Sequence, residues 1–366
     1  MSEPAVQTPQ RVVLFASSFI VVALTVTLLV EGRELLIPLA VAIVIWYVLN
    51  ALAAFYGRLR IAGREPPGWA CMTASILTVL VALALFGELI SGNVAAVSAA
   101  APRYQANLEA LIARVSAMAG FAQPPDIAQA LEGLNLRALA GNLAGAVAAF
   151  VGNIGIILIY VLFLLAEQSS FDAKIRALFP DTEHREDVRD LLHRMQVQIQ
   201  TYLAIKTLMS VATGVVSYLV LLAVGVDFAV FWGFVIFLLN YIPTIGSLLG
   251  IILPALLTLV QFPTFGPFLI VFAGIGATQV VIGNFVEPKM MGTRLNISPL
   301  VVILSLALWG SIWGVAGMFL CVPLTVILMI AFAYFEKTRP IAIVLSGNGR
   351  IETLDSAPPP GSPTDQ

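Results

Sequence analysis

Apolar runs long enough to cross a bilayer recur along most of this chain, separated by short charged stretches. A helix needs about 20 consecutive apolar residues to span the hydrocarbon core. By that measure single spans fall near residues 12–30, 35–56, 70–91, 143–166, 203–224 and 265–285. Two further apolar segments, 228–260 and 297–335, are too long for one comfortable span, and Gly, Pro and polar residues interrupt both. The first carries NYIPTIGSLLG (Asn240–Gly250) between FAVFWGFVIFLL and IILPALLTLV; the second reads SPLVVILSLALWGSIWGVAGMFLCVPLTVILMIAFAYF. The pattern predicts an all-α polytopic membrane protein of about eight transmembrane helical elements. Two of these are broken or re-entrant, and an extracytoplasmic helical region interrupts the series.

The polar segments set the predicted organisation. Residues 1–91 hold the first three transmembrane helices, and the first reads as uncleaved because its apolar run is longer than that of a signal peptide. Residues 92–142 are alanine-rich and weakly amphipathic, with a Pro124–Pro125 break. They read as helices on the outer membrane face, on neighbouring subunits, or as a packed connector. Residues 143–202 combine the fourth span with PDTEHREDVRDLLHRMQVQIQTYLAIK. There Val188, Leu191, Leu192, Met195 and Ile199 recur at helical spacing, giving a cytoplasmic amphipathic helix that runs into the fifth span. Residues 203–340 form the expected transport core with both broken segments. The tail 341–366, rich in proline and serine, reads as disordered. Arg58, Arg60 and Arg64 follow the second span, and Lys174, Arg176, Arg185, Arg189 and Arg194 follow the fourth, so both loops and both termini are expected in the cytoplasm. If each broken segment returns to its starting side, Lys289 and Arg294 also stay inside; single crossings would put them outside.

Composition strengthens the membrane reading and removes other classes. Hydrophobic residues make up 59% of the 366, and charged residues only 11%, against about 25% charged in soluble domains. The mean hydropathy is +0.96. A net charge of −2 provides no basic field for nucleic acid. Cys71 and Cys321 lie in separate apolar runs, and His184 and His193 share a polar helix without metal-ligand spacing. No metal or other cofactor is expected.

The broken segments are the candidate site. In lipid every backbone N–H and C=O needs a partner in the protein or in a watery cavity. Pro243 removes a donor and disfavours helix at Ile242, and Gly246 weakens the helix further. A break is therefore predicted around Asn240–Gly246, with Asn240, Tyr241, Thr244 and Ser247 able to satisfy part of it. GSLLG at 246–250 and GSIWG at 310–314 share a form, and each is followed by a proline, Pro254 or Pro323. Matched broken segments mark transport sites. Small residues spaced like Gly246/Gly250 and Gly310/Gly314 also serve plain helix packing. Trp309, Gly310, Ser311 and Gly314 would shape the second segment, and Tyr241 with Trp309 could offer an apolar face to a small polar molecule.

Charges inside a bilayer need a reason. Glu287, in Gly283-Asn284-Phe285-Val286-Glu287-Pro288, is the leading coupling group. Pro288 is expected to unwind the turn, Asn284 lies near, and the carboxylate could bind a proton or sodium; it could also pair with Lys289 or Arg294. Glu88 and Asp227 fall near the interfaces. No nucleotide-binding loop is present, nor a hydrolase motif, so neither an ATP-driven pump nor an enzyme is expected.

On NYIPTIG with Pro254, GNFVEPKMMGTRLNISPLVVILSLALWG, WGVAGMFLCVPL and QIQTYLAIK, the chain resembles the autoinducer-2 exporter family of bacterial permeases. The resemblance covers about 198–335. It implies an inner-membrane secondary transporter exporting a small polar molecule, with autoinducer-2 among the cargoes associated with the family and sodium/proton antiport associated with some members. Where members often carry Gly-Gln after the Tyr-Leu of the fifth span, this chain has Ala204-Ile205-Lys206. The expected partners are the lipid bilayer, a small polar substrate, H+ or Na+ as coupling ion, and further copies of the chain in a homo-oligomer. A cation/proton antiporter and a non-transporting membrane scaffold are the alternative readings.

Overall fold

The computed structural model describes residues 7–59, 65–118, 152, 154–178, 181–292 and 296–349. Those residues are largely helical, with no β-strand among them. In chain order the helices are α1 (Gln7–Glu31), α2 (Arg33–Arg58), α3 (Gly68–Met118), α4 (Ile154–Glu167), α5 (Phe171–Leu178), α6 (Thr182–Val224), α7 (Ala229–Leu239) and α8 (Ile245–Gln261). Then α9 (Gly266–Gln279) widens into a π-helical stretch, Val280–Val286, that leads into α10 (Glu287–Met291), and α11 (Pro299–Tyr334) and α12 (Arg339–Leu345) follow. Among the described residues five helices are long and apolar enough to cross a membrane, six if α4 and α5, bent by 65°, make one broken span. Eight spans are thus not counted there, and one of the five, α11, folds back on itself, as shown below. The expected start of the fourth span at 143, the second half of the 92–142 region and the tail beyond 349 lie outside the described residues.

Helix α6 shows why the chain needs lipid. Its exposed stripe is Leu208, Val211, Val215, Leu219 and Leu222, while Lys206, Ser210, Thr213 and Ser217 are buried. A helix in water would turn these faces the other way. Apolar side chains meet hydrocarbon without cost, so the polar ones gather inside, where partners can be built.

The first broken segment is a hairpin. Its break falls at residues 240–244, and α7 and α8 run antiparallel from it: Gly246 lies against the Leu239 carbonyl and Gly250 against Ile236. At the open end the Gln261 amide donates to the Gly225 carbonyl (2.9 Å) and accepts the Asp227 N–H (2.8 Å). With 11 and 17 residues, the two arms reach about 16 and 25 Å, short of the roughly 30 Å of the hydrocarbon core. Both ends of the hairpin therefore lie on one face of the bundle.

That open end is held by α3, which does not stop where its span ends but continues as one helix of 51 residues, about 76 Å long. On its extension Tyr104 donates to the Asp227 carboxylate (2.8 Å), Arg103 forms an ion pair with the same carboxylate, and the Asn107 amide donates to the Val260 carbonyl (2.8 Å). Burial and then the Asp227 carboxylate push the Tyr104 phenol up to about 12, so it remains a donor throughout the physiological range. The first part of the 92–142 region is a continuous helical arm that clamps the first hairpin.

From this face α9 and α10 carry the chain to the other side, where the second hairpin begins. α11 has the length of a long single span, but at Gly314 the backbone takes φ 61°, ψ −139°, a conformation open essentially to glycine alone. Beyond it the chain turns back, so that the Trp309 indole donates to the Thr325 hydroxyl (3.3 Å) and Gly310 lies against Met318. The ends of this hairpin also meet: the Ser298 N–H donates to the Leu345 carbonyl (3.1 Å), and Asn296 accepts from Gly347 and Asn348 (3.1 and 3.2 Å). The two hairpins thus enter from opposite faces. Their matched pentapeptides are not equivalent, since GSLLG follows the tip of the first and GSIWG precedes that of the second. The structural counterpart of Gly246 is Gly317, pressed against the Trp309 carbonyl as Gly246 is against that of Leu239.

A Cβ at Gly246 or Gly317 would sit 1.7 or 1.9 Å from those carbonyl oxygens. Gly246→Ala and Gly317→Ala should each lower stability by about 1–3 kcal/mol, read as earlier thermal unfolding in detergent. Gly276→Ala in α9, where nothing lies within 4 Å, should not.

Candidate functional site at the hairpin tips

The tip of the first hairpin is built from backbone strain. Pro243, Thr244 and Ile245 form a γ-turn: the Ile245 N–H donates to the Pro243 carbonyl (2.6 Å), and Thr244 takes φ 61°, ψ −57°. This hand of γ-turn is rare and strained, the more so for a β-branched residue. The Thr244 carbonyl then starts α8 by accepting the Leu248 N–H and the Ser247 hydroxyl (3.2 and 2.8 Å). On the other side of the break Asn240 is buried, and its amide donates to the Ser210 hydroxyl of α6 (3.0 Å). The Tyr241 and Thr207 hydroxyls share a hydrogen bond of 2.7 Å. The Tyr241 ring stacks on Phe319 of the second hairpin, centroids 5.9 Å apart, with the edge of Phe237 against it. The hairpin tips therefore meet across one aromatic pair, beside α6.

Immediately next to this contact is a buried ion pair. Lys206 Nζ of α6 lies 2.7 Å from Glu287 Oε1, with side chains 8% and 14% exposed. Unpairing such charges in a low-dielectric interior is far costlier than at a surface. Tyr202 lies within electrostatic reach of Glu287, Tyr241 and Cys321, and Cys321 within reach of Lys206 and the Ser305 hydroxyl. Tyr202 and Cys321 thus link the ion pair of α6 and the π-helical crossing electrostatically to both hairpins.

Several expectations about Glu287 change. Its partner is Lys206. Of the alternative partners, Lys289 is exposed, and Arg294 lies outside the described residues. The turn before Glu287 is not unwound either. Pro288 has no N–H and its ring crowds the carbonyl four residues earlier. The helix accommodates it by widening: the Glu287 N–H donates to Ile282, five residues back. Such π-helical stretches are frequent at functional sites.

The remaining expected site residues divide between the tips and the surface. Asn284 and Pro288 are exposed, and no hydrogen bond joins the Asn284 side chain to another described residue, so the structure brings neither side chain to the ion pair. In the second hairpin Trp309 is buried against Trp313 and Thr325, Gly310 receives Met318, Gly314 forms the tip, and Ser311 is exposed and bonded to the Leu308 carbonyl (2.8 Å). Lys206 is the residue that sequence reasoning did not assign. Its signal was a lysine in the fifth span, but its partner lies 81 positions away.

The profile of the AI-2E family transporter matches residues 17–337. The chain is 32% identical over 322 residues to the AI-2 transport protein TqsA of Escherichia coli K12, covering 86% of this chain and 90% of that protein. It is 33% identical over 295 residues to a provisionally named transport protein of Haemophilus influenzae, covering 77% of this chain and 83% of that one.

Replacing Thr244 by glycine should remove backbone strain of roughly 1–3 kcal/mol and add chain flexibility costing roughly 0.5–1 kcal/mol. Thr244→Gly is therefore expected to unfold at a higher temperature than the wild type.

Proposed function

The chain belongs to the AI-2E transporter family, and from that premise we propose that it is a secondary transporter exporting a small polar molecule past the hairpin tips, with Glu287 as its proton-coupling group. The observation that carries this reading is the buried Lys206–Glu287 pair where the hairpins meet. A proton on Glu287 removes the charge that compensates Lys206. The ammonium then lies in an apolar interior without its counter-ion, at a cost of several kcal/mol. Parting α6 from the π-helical crossing lets water reach it. Protonation and opening are thereby coupled, as a transporter requires. Asn240, Tyr241, Thr207 and Ser210 would exchange their mutual hydrogen bonds for bonds to cargo, and the Tyr241–Phe319 stack would open to admit it.

In this proposal the termini are cytoplasmic, the first hairpin enters from outside and the second from inside. Autoinducer-2 is the cargo to try first, because the Escherichia coli relative is named for it. Monovalent cation/proton antiport is the second reading, favoured by the same pair: the partner of the carboxylate is itself a monovalent cation.

Proteoliposomes with a proton gradient should move labelled autoinducer-2 in the wild type, and Glu287→Gln should fall to the rate of protein-free vesicles. A proton signal that follows sodium or lithium gradients without cargo movement would select antiport. Neither signal, from folded and inserted protein, would overturn coupled transport.

A further inference from the structure

Tyr202 is a buried phenol to which the ion pair assigns no role. It is 4% exposed and lies on α6 one helical turn before Lys206, on the same buried face. It packs in a cluster with Ile242 of the first hairpin and Leu306, Cys321 and Val322 of the second, with Met291 of α10 against them. No hydrogen bond joins its hydroxyl to another described residue. A buried polar group without a partner calls for an explanation. Three polar side chains lie within its electrostatic reach: Cys321, Glu287 and Tyr241. Two of them are engaged, since the Tyr241 hydroxyl is shared with Thr207 and the Cys321 thiol with Ser305. Glu287 gives one carboxylate oxygen to Lys206, and no hydrogen bond from a described residue reaches the other.

We propose that Tyr202 is a positioning residue for the proton-bearing state, the hydroxyl that Glu287 bonds once protonation has released Lys206. The ionised carboxylate favours the ammonium, because a charge-assisted bond is roughly twice as strong as a neutral one. A protonated carboxyl has lost that attraction. Its carbonyl oxygen accepts from a phenol, and its O–H can donate to the phenol oxygen. The new pair is neutral, which suits an interior that penalises a lone charge. Lys206 and Tyr202 are about 5–6 Å apart on the face of α6, so the exchange of partners needs one turn of relative movement. The proton enters and leaves on Glu287, and Tyr202 keeps its own. The purpose of the exchange rests on the coupling role proposed for Glu287; the contact itself can be read without transport.

Acid-minus-neutral infrared difference spectra of the reconstituted protein should contain a C=O band from protonated Glu287, identified by its loss in Glu287→Gln. In Tyr202→Phe that band should move to higher frequency, because the carbonyl loses a donor. A bond made only by the protonated form favours that form. Its removal should therefore move the pH profile of coupled flux toward acid by roughly half to one unit, the worth of one hydrogen bond. Tyr218→Phe, far along α6, should move neither. A band that Tyr202→Phe leaves in place overturns the assignment, whatever the flux. A profile that moves toward alkaline pH also overturns it, since the phenol would then serve the ionised carboxylate. A shifted band with a flux that Glu287→Gln leaves intact supports the contact and overturns coupling instead.

Discussion

A lysine and a glutamate paired 2.7 Å apart inside a lipid-facing bundle constrain everything around them. Leaving either charge alone where its side chain is so little exposed is costly, so the elements that carry them must stay in register. α6 supplies the ammonium and the π-helical crossing the carboxylate. With side chains 8% and 14% exposed, the pair meets little of the water that would otherwise weaken it. The pair is a charge-assisted bond that a single proton on the carboxylate would disrupt.

The hairpins answer a related constraint. Helices can end within the membrane only where protein or water satisfies their free backbone groups. The first ends in a strained γ-turn at Thr244 and gives its polar side chains, Asn240 and Tyr241, to α6. The second uses Gly314 at its tip and close backbone contact at Gly317. Each is tied shut at its open end, the first by Gln261 and the α3 arm, the second by Asn296 and the chain after α12.

Much of this was legible in the sequence, because its causes are local. Pro243 and the polar run beside it marked the first break, and run lengths marked the spans. Lys289 and Arg294 favoured re-entrant readings of 228–260 and 297–335. What could not be read depends on contacts distant in the chain. The Lys206–Glu287 partnership and the reach of Arg103, Tyr104 and Asn107 to the first hairpin are of that kind. Pro288 pointed to disturbed helix geometry, but proline rules alone do not distinguish unwinding from π-helical widening. The GSLLG and GSIWG match was misleading, since equivalent letters occupy opposite sides of the two tips.

The most direct measurement is a double-mutant cycle on Lys206→Met and Glu287→Met, scored for both stability and proton-coupled transport. Each single variant should lose about 3–5 kcal/mol, as expected when one buried charge is left unpaired. The double variant should recover most of that stability and still carry no coupled flux. Singles as stable as the wild type, or a double variant that transports normally, would contradict the account.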